Sequence, residues 1–126
     1  MRRFAIFMLF LTIFSCFERI SEHSWKKTTV FVWLTGYSSR RCETDDTPFI
    51  TASNKRVRDG IVACNFLPFG TQIKIPDVFG NKIFTVEDGM ALRHKNNVDV
   101  WFASTKHAKK MGRKKVAIEI VQSGKN

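Results

Sequence analysis

The chain has 126 residues, a length that suits one domain with a modest hydrophobic core. Its formal net charge of +10 favours an anionic partner, such as a cell-wall polymer, phospholipid head groups or an acidic polysaccharide. We do not expect nucleic acid as the partner, because the sequence has no zinc-finger spacing, RNA-binding sheet motif or helix-turn-helix.

The N-terminus has the pattern of an export signal. A basic start over residues 1–3 precedes an apolar run over 4–14. About eleven residues are too few to span a bilayer as a mature helix, but they suit a secretory signal. Cys16 follows in a sequence similar to a bacterial lipobox. We predict a signal peptide or membrane anchor over 1–20 and an exported protein of the cell envelope or extracellular space. Lipid attachment at Cys16, simple cleavage and an uncleaved anchor remain alternatives.

The remaining chain is predicted to form a tether, one domain and a tail. Residues 21–28 are polar without periodicity, the domain covers 29–122, and the tail is 123–126. From Cys16 onward the chain has 19 Lys or Arg and 11 Asp or Glu, a net charge of about +8.

Short strands dominate the predicted elements. In chain order we predict strands over 29–35, 61–64, 71–75, 84–88 and 98–102, a helix over 105–111, and a strand over 115–121. Six or so short strands with one or two short helices predict a mainly β fold, a small six-stranded closed barrel.

Two segments give more specific local expectations. In the first strand, Phe31 and Trp33 alternate with Val32 and other apolar residues, so both faces are apolar. This pattern predicts a central strand that is covered on both sides. Residues 76–81 are predicted to form a tight turn because proline and glycine frame them.

The last strands before the helix contain two aspartates. Asp88 ends one apolar run, and Asp99 lies inside the next on the same face as Trp101. A carboxylate in such a run costs free energy unless it is paired, hydrogen-bonded or used in chemistry. Both acids are therefore either satisfied structural residues or parts of a site. Glu87, on the face opposite Asp88, is predicted to be a solvated strand residue.

The cysteine pattern leaves two possibilities open. Cys42 and Cys64 pair in an oxidising compartment, or they stay separate with Cys64 buried. No CxxC spacing is present, so we expect neither a metal site nor a cofactor.

Several short motifs in a fixed order resemble a known family. They are TGYS at 35–38, TAS at 51–53, IVA at 61–63, LPFGT at 67–71, VED at 86–88, VDVWF at 98–102 and GR at 112–113. With these motifs, the chain from about Val30 to Val121 resembles the 3D (Asp-Asp-Asp) domain. This domain occurs in MltA-type lytic transglycosylases and related RlpA-like double-psi β-barrel proteins.

The resemblance implies a monomeric double-psi β-barrel that cleaves the MurNAc–GlcNAc bond of peptidoglycan glycan strands in cell-wall turnover. The family's three aspartates match Asn65, Asp88 and Asp99, so this chain has two of them. Asp99 is implied to be the catalytic acid and base, and Asp88 is implied to orient and tune it. The apolar neighbours of Asp99 and the charge of Asp88 are expected to raise the pKa of Asp99.

The resemblance also suggests residues for a substrate cleft. Tyr37, Thr51 and Ser53 are expected to offer an aromatic face and hydroxyls to a sugar, although packing or backbone bonding would explain them equally well. Asn65 is expected to bind the sugar or Asp99, and Asn65→Asp is expected to be tolerated. The loop over 89–95 departs from the family's glycine-rich pattern. A non-catalytic glycan-binding barrel and a hydrolase that uses water remain alternative functions.

Overall fold

The structure, a computed structural model, describes residues 27–39 and 49–124. The predicted signal segment over 1–20 and the cysteines Cys16 and Cys42 lie outside the described residues. The predictions about export and lipid attachment therefore stay predictions.

Six strands and two short helices make up the described domain. They are β1 (Thr28–Tyr37), β2 (Ile61–Cys64), β3 (Gln72–Lys74), α1 (Pro76–Phe79), β4 (Ile83–Asp88), β5 (Asn97–Trp101), α2 (Thr105–Met111) and β6 (Lys114–Gln122). The strands close into a barrel in the order β1-β5-β2-β4-β3-β6. Two neighbouring pairs, β1 with β5 and β2 with β4, are parallel, and the other four are antiparallel. The predicted mainly β fold with a small six-stranded barrel is confirmed.

Alternate residues of the strands fill the barrel. The buried cluster consists of Val32, Leu34, Val62, Cys64, Ile73, Ile75, Phe84, Val86, Val98, Val100, Val116 and Ile118. Burying each large apolar side chain contributes about 1.5–3 kcal/mol relative to exposing it. The period-two pattern of the sequence thus directs one face of each strand into the core, and in β2 the other face is buried as well.

The prediction that β1 is covered on both faces is wrong. Its inward face is buried, but Phe31 is 68% exposed and Trp33 is 38% exposed. The reason is the closed barrel, which has one interior and leaves the outer face of every strand to loops or solvent. The outer face of β1 receives only partial cover, since the Arg113 guanidinium lies 4.2 Å from the centre of the Trp33 ring.

The tight turn predicted over 76–81 is confirmed at its second half, where the Lys82 N–H donates to the Phe79 carbonyl oxygen at 3.3 Å, while Pro76–Phe79 forms the single helical turn α1. Proline suits the start of a helix, where its missing N–H has no intrahelical partner to lose. Phe79 packs edge-on against Phe84, with 4.9 Å between the ring centres. This contact packs α1 against the buried core.

The helix α2 occupies Thr105–Met111, as predicted, and ends at Gly112, which has a φ of 62°. It lies close to β1 at Gly36. A Cβ atom built at Gly36 would stand 2.8 Å from the Phe102 ring and 3.0 Å from the Ala108 carbonyl oxygen. Glycine at this position is therefore what allows α2 to pack against the barrel.

Cys64 is a free, buried thiol at the end of β2. Burial raises its pKa, so the side chain behaves as a small apolar group of the core. Cys64 therefore forms no disulfide in the structure.

Candidate functional site

The two aspartates lie on the strands that flank β2. Ala63 of β2 pairs with Asp99 of β5 on one side and with Asp88 of β4 on the other. The neighbouring row, which includes Val62, points into the core, so the row of Ala63 points outward. Two strand spacings separate the aspartate backbones, a distance of about 10 Å. The barrel topology thus brings both predicted acids to one outer surface.

Asp88 is fixed by three hydrogen bonds. Its Oδ2 accepts from the Tyr37 hydroxyl at 2.9 Å. Its Oδ1 accepts from the backbone N–H of Ala52 at 2.8 Å and from that of Gly89 at 2.9 Å. These donors come from β1, from the loop before β2 and from the loop after β4. The carboxylate therefore joins three segments of the chain that are far apart in sequence.

Tyr37 lies within electrostatic range of both acids. Burial raises the pKa of its phenol far above the usual range, and the charge of Asp88, the hydrogen bond to Asp88 and the charge of Asp99 raise it further. The hydroxyl consequently stays protonated and acts as a donor. Its bond to Asp88 gives the Tyr37 hydroxyl a structural partner, and the prediction that its aromatic face binds a sugar stays a prediction.

The prediction that Glu87 is a solvated strand residue is wrong, since its side chain is 7% exposed. The cause is a β-bulge: Val62 pairs with Val86, but the next residue, Ala63, pairs with Asp88. Glu87 is the extra residue of β4 and loses the alternation of its strand. Bulges commonly redirect a side chain in this way beside functional sites.

Glu87 binds the hydroxyls that were predicted to face a sugar. The Ser53 hydroxyl donates to Glu87 Oε2 at 2.5 Å, and the Ser53 N–H donates to the Glu87 carbonyl oxygen at 3.1 Å. The Thr51 and Ser53 hydroxyls are 3.0 Å apart, and Thr51 Oγ1 accepts from the Lys55 N–H. These contacts hold the loop that presents the Ala52 N–H to Asp88. Thr51 and Ser53 therefore shape the loop.

Asn65 organises the loop that follows β4. Its amide nitrogen donates to the carbonyl oxygens of Met90, Ala91 and His94 at 3.0, 3.1 and 3.3 Å. Its amide oxygen accepts from the Met90 N–H at 2.8 Å. An amide is suited to this place, because it donates and accepts at once. The side chain that matches the family's first aspartate is therefore bonded to the loop.

Asp99 faces a cleft of about 380 Å³. The lining residues are Thr35, Met90, Arg93, His94, Asn97, Asp99 and Arg113. Thr35 and Asn97 come from β1 and β5, and Asp99 is partly buried between the buried residues Val98 and Val100. The loop held by Asn65 provides Met90, Arg93 and His94. Among these seven lining residues Asp99 is the one acid, and two of the other six are arginines.

The site predicted from the sequence thus separates into two parts. Asp88, Tyr37, Thr51 and Ser53 belong to a hydrogen-bonded network, and Asn65 shapes one wall of the cleft. The cleft contains Asp99 together with Arg93 and Arg113, which were not predicted to be site residues, although Arg113 belongs to the GR motif at 112–113. The sequence contains a feature that could have indicated each arginine. Arg93 lies in the basic loop that departs from the family pattern, and Arg113 directly follows the glycine that ends α2.

Metal and membrane features were sought in the same part of the chain. Over 27–39 and 49–124, no three His, Cys, Asp or Glu side chains are grouped so that they could hold a metal ion. Neither helix in these two ranges has the length and hydropathy that crossing a bilayer requires.

The chain has no match among protein-family models or curated proteins. The resemblance to the 3D domain therefore stays a prediction, and the barrel and the Asp99 cleft are the observations from which a function has to be argued.

Proposed function

We propose that this chain is an exported lytic transglycosylase that cleaves the MurNAc–GlcNAc bond of peptidoglycan in cell-wall turnover. The observation behind the proposal is the cleft with a single acid, Asp99. Most glycosidases need two carboxylates, one as acid and one as nucleophile or base. A lytic transglycosylase can work with one, because a hydroxyl of the sugar itself replaces water.

Asp99 would transfer the proton in both halves of the reaction. It first donates its proton to the glycosidic oxygen as the bond from that oxygen to the sugar C1 breaks. The C6 hydroxyl of the same sugar then attacks C1, and the Asp99 carboxylate accepts the hydroxyl proton. The product carries a 1,6-anhydro ring, and Asp99 is protonated again for the next cycle.

Asp88 is a positioning residue in this proposal. Both of its oxygens accept hydrogen bonds, so it is occupied with Tyr37 and two backbone N–H groups. Through Tyr37 it fixes the outer surface of β1 next to the strand of Asp99. Asn65 acts on the other wall of the cleft through the loop over 90–94.

A non-catalytic glycan-binding barrel is the second candidate. The observation in its favour is that Asp88, Tyr37, Thr51 and Ser53 bind one another or nearby backbone, which leaves Asp99 as the sole candidate acid of the cleft. A barrel that has lost its acid chemistry would keep this network for stability. The two candidates differ in whether the glycan is cut.

One experiment tests location and activity together. The full chain is expressed in a bacterium, the cell is fractionated, and the purified protein is incubated with insoluble peptidoglycan. We expect the protein in the envelope or the medium and soluble fragments with 1,6-anhydro ends by mass spectrometry. Reducing ends would identify a hydrolase that uses water. Retention on the wall without release would identify a binding barrel, and a soluble cytoplasmic protein would contradict export.

A further inference from the structure

We infer that Arg93 and Arg113 form a subsite for an anionic group, a carboxylate or a phosphate, on the saccharide that enters the Asp99 cleft. The inference rests on the proposed function insofar as the ligand is a glycan. Both arginines line the cleft with Asp99, one from the loop after β4 and one from the segment between α2 and β6.

Arg113 is held in place by Trp33. Its guanidinium lies 4.2 Å from the centre of the indole ring, in the range of a cation–π contact. A guanidinium stacked on a ring keeps its N–H groups at its edge, where they can bind a carboxylate or phosphate with two parallel hydrogen bonds. Gly112, with a φ of 62°, sets the direction in which the chain leaves α2 just before Arg113. Trp33 is thus a positioning residue for Arg113.

Arg93 lies in a loop whose backbone is held by Asn65. The bonds from Asn65 to the carbonyl oxygens of Met90, Ala91 and His94 fix the backbone on both sides of Arg93. This loop would otherwise have to order itself when the ligand binds, at a cost in conformational entropy. Asn65 therefore holds the loop of Arg93 in place at the cleft before a ligand binds.

The charges of the cleft favour an anion over a neutral sugar. The seven lining residues include two arginines and one aspartate, and Lys115 pairs with Trp33 on the neighbouring strand. A neutral sugar offers a guanidinium only uncharged acceptors, such as hydroxyl and N-acetyl oxygens, whereas an anionic substituent gives stronger, two-pronged hydrogen bonds between opposite charges. In peptidoglycan the lactyl group of MurNAc provides such a carboxylate wherever it carries no stem peptide, and a sugar phosphate would have the same chemistry.

The test measures binding in an Asp99→Asn background, so that the ligand is not consumed. The probes are a GlcNAc–MurNAc tetrasaccharide with free lactyl carboxylates, the same tetrasaccharide with these carboxylates amidated, and a phosphorylated chitotetraose. We expect the free acid to bind about 10-fold or more tightly than the amide, as for charge-assisted bonds. Arg113→Gln should abolish this preference, and Trp33→Leu should weaken it.

Arg58→Gln is the matched control, because Arg58 is exposed, lies outside the cleft and loses the same charge. It should leave the preference unchanged. If Arg113→Gln does not fold by circular dichroism, Arg93→Gln replaces it. Equal binding of the acid and the amide, or an equal loss in Arg58→Gln, would overturn the inference. Tighter binding of the phosphorylated sugar would support the subsite with phosphate as its ligand. Release of glycan by the parent enzyme is measured separately, so the two proposals can fail independently.

Discussion

Asp88 and Asp99 are the same residue type, and they flank the same residue of β2. Around Asp88, three donors from three segments occupy both carboxylate oxygens. Around Asp99, the loops leave an open cleft of about 380 Å³ with two arginines in its walls. The strands place the two acids almost equivalently, and the loops give them different surroundings.

The difference shows how one barrel assigns two tasks to two carboxylates. A carboxylate that accepts several hydrogen bonds is held in one orientation and serves as a structural acceptor. A carboxylate at an open cleft can reach a ligand. The segments that decide between these cases are remote in sequence, since Tyr37 and Asp88 are 51 residues apart.

The largest expected effect is on catalysis at Asp99. Asp99→Asn keeps the size of the side chain but cannot donate or accept the proton. We expect release of soluble glycan to fall by roughly 10²–10⁴-fold, the usual contribution of general acid–base catalysis. Asp88→Asn is the comparison variant: its amide oxygen can still accept from backbone, so we expect a smaller loss. Initial rates of peptidoglycan solubilisation measure both.

The roles assigned to the two acids are contradicted if Asp88→Asn loses more activity than Asp99→Asn. Circular dichroism and denaturant unfolding first establish that both variants are folded. A folded Asp99→Asn protein with parental activity would remove Asp99 from the chemistry. A greater loss in Asp88→Asn would mean that the proton is transferred on the other strand.

The next effect concerns Asn65, where the structure reverses the expectation from the sequence. In Asn65→Asp a carboxylate oxygen would face three carbonyl oxygens that now accept hydrogen bonds from the amide. Because Asn65 is exposed, water can satisfy these carbonyl oxygens, and the cost is that of the lost bonds, about 0.5–1.5 kcal/mol each. We therefore expect a destabilised loop over 90–94, a lower free energy of unfolding and reduced activity. Urea unfolding at neutral pH and the solubilisation assay measure these changes.

Asn81→Asp is the control, since it makes the same chemical change at an exposed turn, where changes within about 0.5 kcal/mol are usual. At low pH the introduced carboxyl of Asn65→Asp becomes protonated and can donate again. The difference in free energy of unfolding between Asn65→Asp and the parent should then become smaller. Equal stability of Asn65→Asp and parent at neutral pH would show that the family's carboxylate fits this place without cost.

The smallest effect is the pH response of Tyr37, the one tyrosine of the chain. Its pKa is raised in the folded protein, first by burial and then by Asp88 and Asp99. The unfolded chain loses the phenol proton near pH 10 while the folded chain keeps it. The contribution of Tyr37 to stability is therefore complete below pH 10 and falls above it, by at most about 1.4 kcal/mol per pH unit.

Absorbance of the phenolate at alkaline pH measures this directly. The native signal should appear well above the midpoint of the denatured protein. Asp88→Asn should move the native midpoint down without restoring the ordinary value, because burial is the larger cause. Tyr37→Phe should have no such signal. A phenol titration midpoint near pH 10 in the folded protein would show that Tyr37 is exposed to solvent. It would contradict the hydrogen-bonded network around Asp88.

The sequence by itself determined the elements and the core of this protein. Alternating apolar residues such as Ile73, Ile75 and Ile118 predicted strands with one buried face, and these side chains are fully buried. The helix predicted over 105–111 matches α2. Several short strands without a long helix predicted a closed barrel, which removes the unpaired strand edges. Such features depend on periodicity and on turn chemistry, which neighbouring residues encode.

Only the tertiary structure decided what the polar residues of the site do. The bulge in β4 buries Glu87, the amide of Asn65 binds a loop 25–29 residues away, and Arg93 and Arg113 meet Asp99 at one cleft. A period of two fixes the face of a side chain within its own strand, but it contains no information about bulges or about which loops cover that face. Those depend on how β2, β4 and β5 align when the barrel closes, because closure sets the distances between segments that are far apart in the chain.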